Sequence, residues 1–185
     1  EFVEFYNPSA ATVDVSSWEI SGGVTYTLPL GTVIPAQGFL VVAQDPAIIQ
    51  SRYGVSAFGP WAGGLSSDGD TVTLRAANGD KVAEVNYGSE FPWPISADGE
   101  GASMALVNPA LDNDLGSSWR SQTPPTPGAT NSVFAINAVP NIRQVEHTPQ
   151  TPTSTNQIVI TAKVTDPHGV AAVQLRYQLV TPGNY

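Results

Sequence analysis

The stretch GLSSDGDTVTLRAANGDKVAEVNYG, residues 64–88, holds four carboxylates among two turn signals. Those carboxylates are either a site or the polar punctuation of a β-hairpin. Asn78-Gly79 is a strong hairpin signal, because both residues tolerate the left-handed backbone of a tight turn. A two-residue loop there pairs Ala77 with Asp80, and hence Leu74 with Ala83, Val72 with Val85, and Asp70 with Tyr87. The same register sets Thr73 opposite Glu84 and Arg75 opposite Val82. One face then carries Val72, Leu74, Ala83, Val85 and Tyr87; the other carries Thr71, Thr73, Arg75, Glu84 and Asn86. The alternation closes on both strands at once, which specifies the register. Asp68-Gly69 is a second turn and Asp80 flanks the first, so most of the carboxylates have structural roles.

The same alternation extends outward. EFVEFYN (1–7) places Val3 and Phe5 on one face and Phe2, Glu4 and Tyr6 on the other. In TVDVSSWEIS (12–21), Val13 and Val15 have one parity and Trp18 and Ile20 the opposite one. A bulge or bend near Ser16-Ser17 restores them to one face. VTYTLPL and GFLVVAQD read as further strands, joined by the turn IPAQG. DPAIIQSRYG (45–54) is the one helix signal, with Asp45 as N-cap, Pro46 at the first helical position and Gly54 as the stop. Two turns are marginal alone, so Ile48, Ile49 and Tyr53 are expected to pack on the sheets. ASMALVNP (102–109) reads as a strand, NDLGSSWRSQTPPTPGATN (113–131) as an irregular tail anchored by Trp119, and residues 132–139 as a linker. Residues 140–185 then contain three strand signals, IRQVEH, QIVITAKVTD and AAVQLRYQLV, with a turn at DPHG. Three strands do not close a sandwich.

Composition bounds the function. Of 185 residues, 41% are hydrophobic and only 12% charged, against a usual charged fraction of about 25%. That balance, rich in Thr, Ser, Val and Gly, suits a surface or secreted β-module. There is no cysteine, which excludes disulfides, thiol catalysis and Cys-zinc sites. No apolar run approaches the ~18 residues of a membrane span. The net charge is −9. Residues 1–139 hold 14 acidic and 4 basic side chains; residues 140–185 hold 2 and 3. The acidic first part repels a phosphate backbone, so no nucleic-acid partner is expected.

Five blocks, EFVEFYNPSAATVDVSSWEIS, IPAQGFLVVAQDP, GLSSDGDTVTLRAANGDKVAEVNYG, FPWP with GASMALVNP, and SSWRSQ with PTPGATN, together resemble the bacterial lamin tail domain over residues 1 to about 131. The resemblance implies an immunoglobulin-like β-sandwich. It also implies a strand ahead of EFVEFYN, which this chain lacks. Residues 140–185 look like the start of an immunoglobulin-like or fibronectin-like module, of the kind that follows lamin tail domains in large exported bacterial proteins.

Candidate chemistry is sparse. Asp68, Asp70, Asp80 and Glu84 could offer oxygens to calcium, as could the loop pairs Asp98 with Glu100 and Asp112 with Asp114. None has EF-hand spacing, and DNDLG lacks the length and closing glutamate of a calcium loop. His147 and His168 have no partner cluster, and Ser103 in GASMA is not in a nucleophile elbow. Trp18, Trp93 and Trp119 are expected in the core, while Trp61 in FGPWAGG is the aromatic expected to be exposed and the candidate for stacking a ligand. The expectation is therefore all-β: an immunoglobulin-like sandwich with one short helix over residues 1–131, a linker at 132–139, and a truncated second sandwich at 140–185. No cofactor or catalytic residue is expected. The function expected is a non-catalytic interaction or spacer module of a multi-domain exported bacterial protein. It would lie outside the cell or on its surface, with protein partners or cell-surface glycan, and self-association through open strand edges. The alternative is an accessory module that binds polysaccharide or nucleic acid for a catalytic domain elsewhere.

Overall fold

The computed structural model describes residues 1–95 and 101–178. Two compact units divide the chain, Glu1–Ala138 and Val139–Tyr185. The first unit contains β1 (Phe2–Tyr6), β2 (Val13–Asp14), β3 (Glu19–Gly22), β4 (Val24–Thr27), β5 (Val33–Ile34), β6 (Phe39–Ala43) and α1 (Pro46–Tyr53), followed by β7 (Ala62–Gly63), β8 (Gly69–Arg75), β9 (Lys81–Gly88), β10 (Ser103–Leu106) and β11 (Trp119–Gln122). Among the described residues the largest sheet runs β7-β4-β3-β8-β9, and β1-β6, β2-β5 and β10-β11 form antiparallel pairs. The architecture is an immunoglobulin-like β-sandwich with one short helix.

The core lies between these sheets. Ile20, Val24 and Val42 are fully buried, and Val3, Phe5, Trp18, Val72 and Ala83 pack around them. The parity change in β2–β3 is made by a turn, not a bulge. Ser17 takes φ 60, and the Trp18 N–H donates back to the Val15 carbonyl at 3.1 Å. Val15 and Ile20 thereby both reach the core.

Helix α1 follows its capping chemistry. The Asp45 carboxylate accepts the N–H groups of Ala47 and Ile48 at 3.0 and 3.2 Å, and Gly54 closes the helix at φ 72. Ile49 is buried and Tyr53, one turn on, packs beside it against Val41 and Ala43. Ile48 does not pack as expected; it is 54% exposed. At 100° per residue it is rotated off the face that Ile49 and Tyr53 share.

The 64–88 hairpin keeps the expected register from Asp70↔Tyr87 to Leu74↔Ala83. Its turn differs. The Gly79 N–H donates to the Ala76 carbonyl at 2.8 Å and Gly79 has φ 90, while Asn78 is not at positive φ. This is a three-residue loop with glycine in the left-handed position, not a two-residue type I′ loop. The Asn78 side chain decides it: its oxygen accepts the Asp80 N–H at 3.0 Å and its amide reaches the Asp80 carboxylate at 2.8 Å. The longer loop pairs Arg75 with Lys81 instead of Val82, and a bulge then restores the register at Leu74. Val82 is left half exposed in that bulge.

Two expectations for the later chain are corrected. The tail at 113–131 contains a strand, β11, paired with β10 in the register Ser103↔Gln122 to Leu106↔Trp119. SSWRSQ carries no β-branched residue, so β11 depends on β10 and on burial of Gln122. The residues expected as a linker are tied to the first unit up to Ala138: the Ala135 N–H donates to the Val107 carbonyl at 3.1 Å, and Ala138 is buried.

The second unit contains β12 (Asn141–Thr148) and β13 (Val159–Thr165), an antiparallel ribbon with a bulge after Arg143 and Gln144 at φ 50. The DPHG turn forms, with the Gly169 N–H donating to the Asp166 carbonyl at 3.1 Å. The third expected strand does not form in its described part. Residues 171–178 lie in no strand, and residues 179–180 fall outside the described residues. With no strand beside them, Val173, Leu175 and Tyr177 stay between 62% and 80% exposed.

Asn7 is a polar residue of the core that strand patterning does not reveal. It is 5% exposed, and its amide donates to the carbonyls of Ala11, Ile34 and Pro35 at 2.8, 3.1 and 2.9 Å. Asn7→Ala strands those carbonyls and should lower the unfolding free energy by about 2–4 kcal/mol, read as a lower urea midpoint at constant slope. Nothing lies within 4 Å of a Cβ built on Gly79, so its cost there is conformational alone. Gly79→Val should destabilise the fold by roughly 1 kcal/mol or more; an unchanged midpoint would contradict the turn assignment.

Candidate functional site

Two of the edge strands, β9 and β1, are finished differently. β9 is the last strand of the large sheet, with β8 as its one strand neighbour among the described residues. Its exposed side is capped: the Asn86 N–H and side-chain amide both donate to the Asp114 carboxylate, at 2.8 and 3.1 Å. A side chain thus occupies the donor that another strand would use.

β1 has no such cap. It pairs with β6 from Phe2↔Ala43 to Tyr6↔Phe39. The ladder is bracketed by the Gln44 N–H on the Glu1 carbonyl at 3.1 Å and the Asn7 N–H on the Gly38 carbonyl at 3.0 Å. Odd-numbered residues of β1 therefore address β6 with their backbone. By antiparallel alternation, the N–H and C=O groups of Phe2, Glu4 and Tyr6 point away from it. They form no backbone ladder with any described residue.

The side chains beside this edge are held firmly. Val3 and Phe5 pack into the main core, and Phe2 packs with Val41, Ala43 and Ile49 beneath α1. Tyr6 lies on Phe39, ring centres 4.9 Å apart, and donates to the Gln37 side chain at 2.6 Å. Glu4, between them, accepts the Gly128 N–H. Burial outweighs that hydrogen bond and pushes its carboxyl up to about 7. Inward of the edge, a cleft of about 1330 Å³ opens between β1, β9 and β10, with Val3, Phe5, Val85, Leu106 and Trp119 in its walls. Among the described residues, the carboxylates of Glu1, Glu4 and Glu84 and the guanidinium of Arg52 line it.

The expected site residues do not converge. Asp70 accepts the Thr71 N–H at 2.7 Å, and Asp68 donates its N–H to the Ser66 hydroxyl at 3.1 Å. Asp112 accepts the Asp114 N–H at 2.9 Å, and Asp114 caps β9. Glu84 bonds the Lys81 ammonium at 2.8 Å and the Thr73 hydroxyl at 2.9 Å, and Lys81, then Thr73, hold its carboxyl below the usual range. Burial, then Asp70 and Glu1, pushes the Tyr87 phenol up to about 12. Among the described residues no three His, Asp or Glu are grouped to hold a metal ion. Asp98 and Glu100 lie outside the described residues. His147 faces the Pro149 carbonyl at 3.0 Å, and His168 lies 3.7 Å from Asp166.

Trp61 is corrected from exposed to buried. It is 6% exposed and belongs to the main core with Val24, Leu40 and Val42. The chain before it bridges to Val42 through Phe58, and Ala62–Gly63 after it pairs with β4, so the indole is turned inward. It offers no face for stacking a ligand. Trp18 packs on the same core, while Trp93 and Trp119 pair with each other at 6.3 Å.

Residues 1–89 match the family model of the Lamin Tail Domain. No curated protein matches the chain. The Lamin Tail Domain is a non-catalytic, immunoglobulin-like family. Its match spans β1 to β9, the large sheet with the β1-β6 and β2-β5 pairs, and ends before β10 and β11. The open edge of β1 is thus part of the lamin-tail region. No described helix is long and apolar enough to cross a membrane.

Glu4 ties pH to stability. Its folded pKa lies above the unfolded value, so the fold holds this proton more tightly than the unfolded chain does. The stabilisation is full below about 4.5 and is lost as pH rises through about 7. Glu4→Gln should remove that loss. Between pH 5 and 8 the native chain's melting temperature should fall by more than the variant's, and parallel curves would exclude Glu4 as the titrating group.

Proposed function

We propose that this chain is a non-catalytic interaction or spacer module of a multi-domain exported bacterial protein. The observation that carries the reading is the Lamin Tail Domain match over residues 1–89, on an immunoglobulin-like sandwich. The low charged fraction and the absence of cysteine are compatible with an extracellular or cell-surface position. A protein partner is favoured over glycan, because the one aromatic singled out for stacking a sugar is buried. Nucleic acid is disfavoured by the −9 charge.

The reading is tested in the native cell and in solution. The parent protein should be digested by protease added to intact cells, and photo-crosslinking from the module should yield protein adducts. The purified chain should not shift duplex DNA at physiological salt. Residence confined to the cytoplasm would overturn the exported context. Salt-sensitive micromolar DNA binding would overturn the choice of a protein partner.

A further inference from the structure

The turn after β13 reads Asp166-Pro167-His168-Gly169. An aspartyl-prolyl bond carries its own nucleophile: the carboxylate is held within reach of its own backbone carbonyl and closes a five-membered ring on it. In this turn three further groups converge on that bond. The Gly169 N–H donates to the Asp166 carbonyl at 3.1 Å, with Gly169 at φ 95, and so stands where the oxygen gains charge on attack. The His168 N–H donates to Asp166 Oδ1 at 2.7 Å and fixes the carboxylate beside its own main chain. The His168 Nδ1 lies 3.7 Å from the same oxygen, on the residue next to the leaving nitrogen. The Asp166 side chain is 7% exposed, so little water shields it, and Oδ2 accepts no hydrogen bond from a described residue. All of these contacts lie within residues 166–169. On the ribbon behind the turn, Asn141 faces Thr165, and the nearest charged pair in register is Arg143 opposite Lys163.

The chain holds a second bond of the same kind, Asp45-Pro46, in a different setting. Asp45 Oδ1 accepts two N–H groups, those of Ala47 and Ile48, at 3.0 and 3.2 Å. Its carbonyl accepts the Ile49 N–H at 3.4 Å as part of α1. That carboxylate is committed to the helix start, and Ala47 stands where the other turn has a histidine. One Asp-Pro bond therefore opens a helix. The other brings together a nucleophile, a donor on the carbonyl oxygen and a proton source.

We propose that the Asp166-Pro167 bond is a self-cleavage site, at which the Asp166 carboxylate displaces proline from its own carbonyl and His168 protonates the departing nitrogen. Oδ2 bonds to the Asp166 carbonyl carbon and forms a cyclic anhydride. The C–N bond to Pro167 breaks as the imidazolium gives its proton to the Pro167 nitrogen. Water then opens the anhydride to the two carboxylates of a C-terminal Asp166. Of the two protons released, one returns to His168 and the other completes the ammonium of Pro167. Nothing is oxidised or reduced, and one water is consumed per cut. The cut separates residues 1–166, which keep β12 and β13, from the chain that begins at Pro167. It is independent of what the first unit binds.

The test incubates the purified 185-residue chain with protease inhibitors between about pH 5 and 8 and follows it by intact-mass spectrometry. Fragments ending at Asp166 and beginning at Pro167 should accumulate at a rate independent of chain concentration. The rate should be higher at the acid end of that range, where histidine carries the proton it donates. Asp45-Pro46 should stay intact. His168→Gln keeps the backbone N–H on Asp166 Oδ1 and removes the proton donor; it should slow the cut by about a hundredfold and flatten its pH dependence. Asp166→Ala should abolish the cut, and unfolding in urea should lower its rate toward that of Asp45-Pro46. Circular dichroism and melting curves check that each variant is folded. No cut at Asp166, equal rates at the two Asp-Pro bonds of the folded chain, or a rate and pH profile unchanged by His168→Gln overturns the proposal. A rate that rises with chain concentration also overturns it, by placing the reaction between molecules.

Discussion

The Asn7 side chain sits where β1 leaves its pairing with β6, and its amide bonds three carbonyls from two other segments of chain. Its oxygen also accepts the Ser9 N–H at 3.0 Å, so the whole amide is used. That knot fixes β1 against the β5 end of the sandwich. With β1 in place, Val3 and Phe5 meet Ile20, Val24 and Val42, and Phe2 meets the cluster under α1. A buried amide is stable only when its partners are all present, so the position of β1 is tightly specified even though one of its edges has no strand beside it.

A strand fixed in place with an unpaired edge differs from a frayed one. Fraying would cost the side-chain packing of Phe2, Val3 and Phe5. The edge is therefore preorganised, which lowers the entropic cost of adding a strand. Natural sheets blunt such edges with charges or side-chain caps. β9 has the cap at Asn86 and Asp114, and β1 has a single carboxylate at Glu4.

Among the described residues the second unit is a single antiparallel ribbon. β12 and β13 pair, yet Ile142, Val145, Ile158, Val159 and Ile160 remain between 44% and 64% exposed. A two-stranded ribbon satisfies its backbone on one side only and cannot bury a face by itself. The acidic first unit, by contrast, closes a core with few charges, because its carboxylates are spent on caps and turns: Asp45 on α1, Asp80 and Asp112 in loops, and Asp114 on β9.

The helix bounds, the body of the 64–88 hairpin and the break in parity near Ser16-Ser17 were legible in the sequence, because each depends on residues within a few positions; whether that break was a bulge or a bend was not. Asp45 caps its own helix, and Val72 and Val85 declare their common face by a period of two. The exact turn at Asn78-Gly79 was less legible, since a side-chain bond from Asn78 to Asp80 competed with the left-handed backbone that a two-residue loop requires. Strand β11, the inward turn of Trp61 and the docking of residues 132–138 had no local signal, because all three depend on segments distant in the chain. The sequence by itself determined a β-sandwich rich in turns, with an acidic first part and no thiol chemistry. Only the tertiary structure decided which carboxylates became caps, which aromatic entered the core, and which distant segments paired, because those outcomes depend on long-range contacts that a local pattern does not encode.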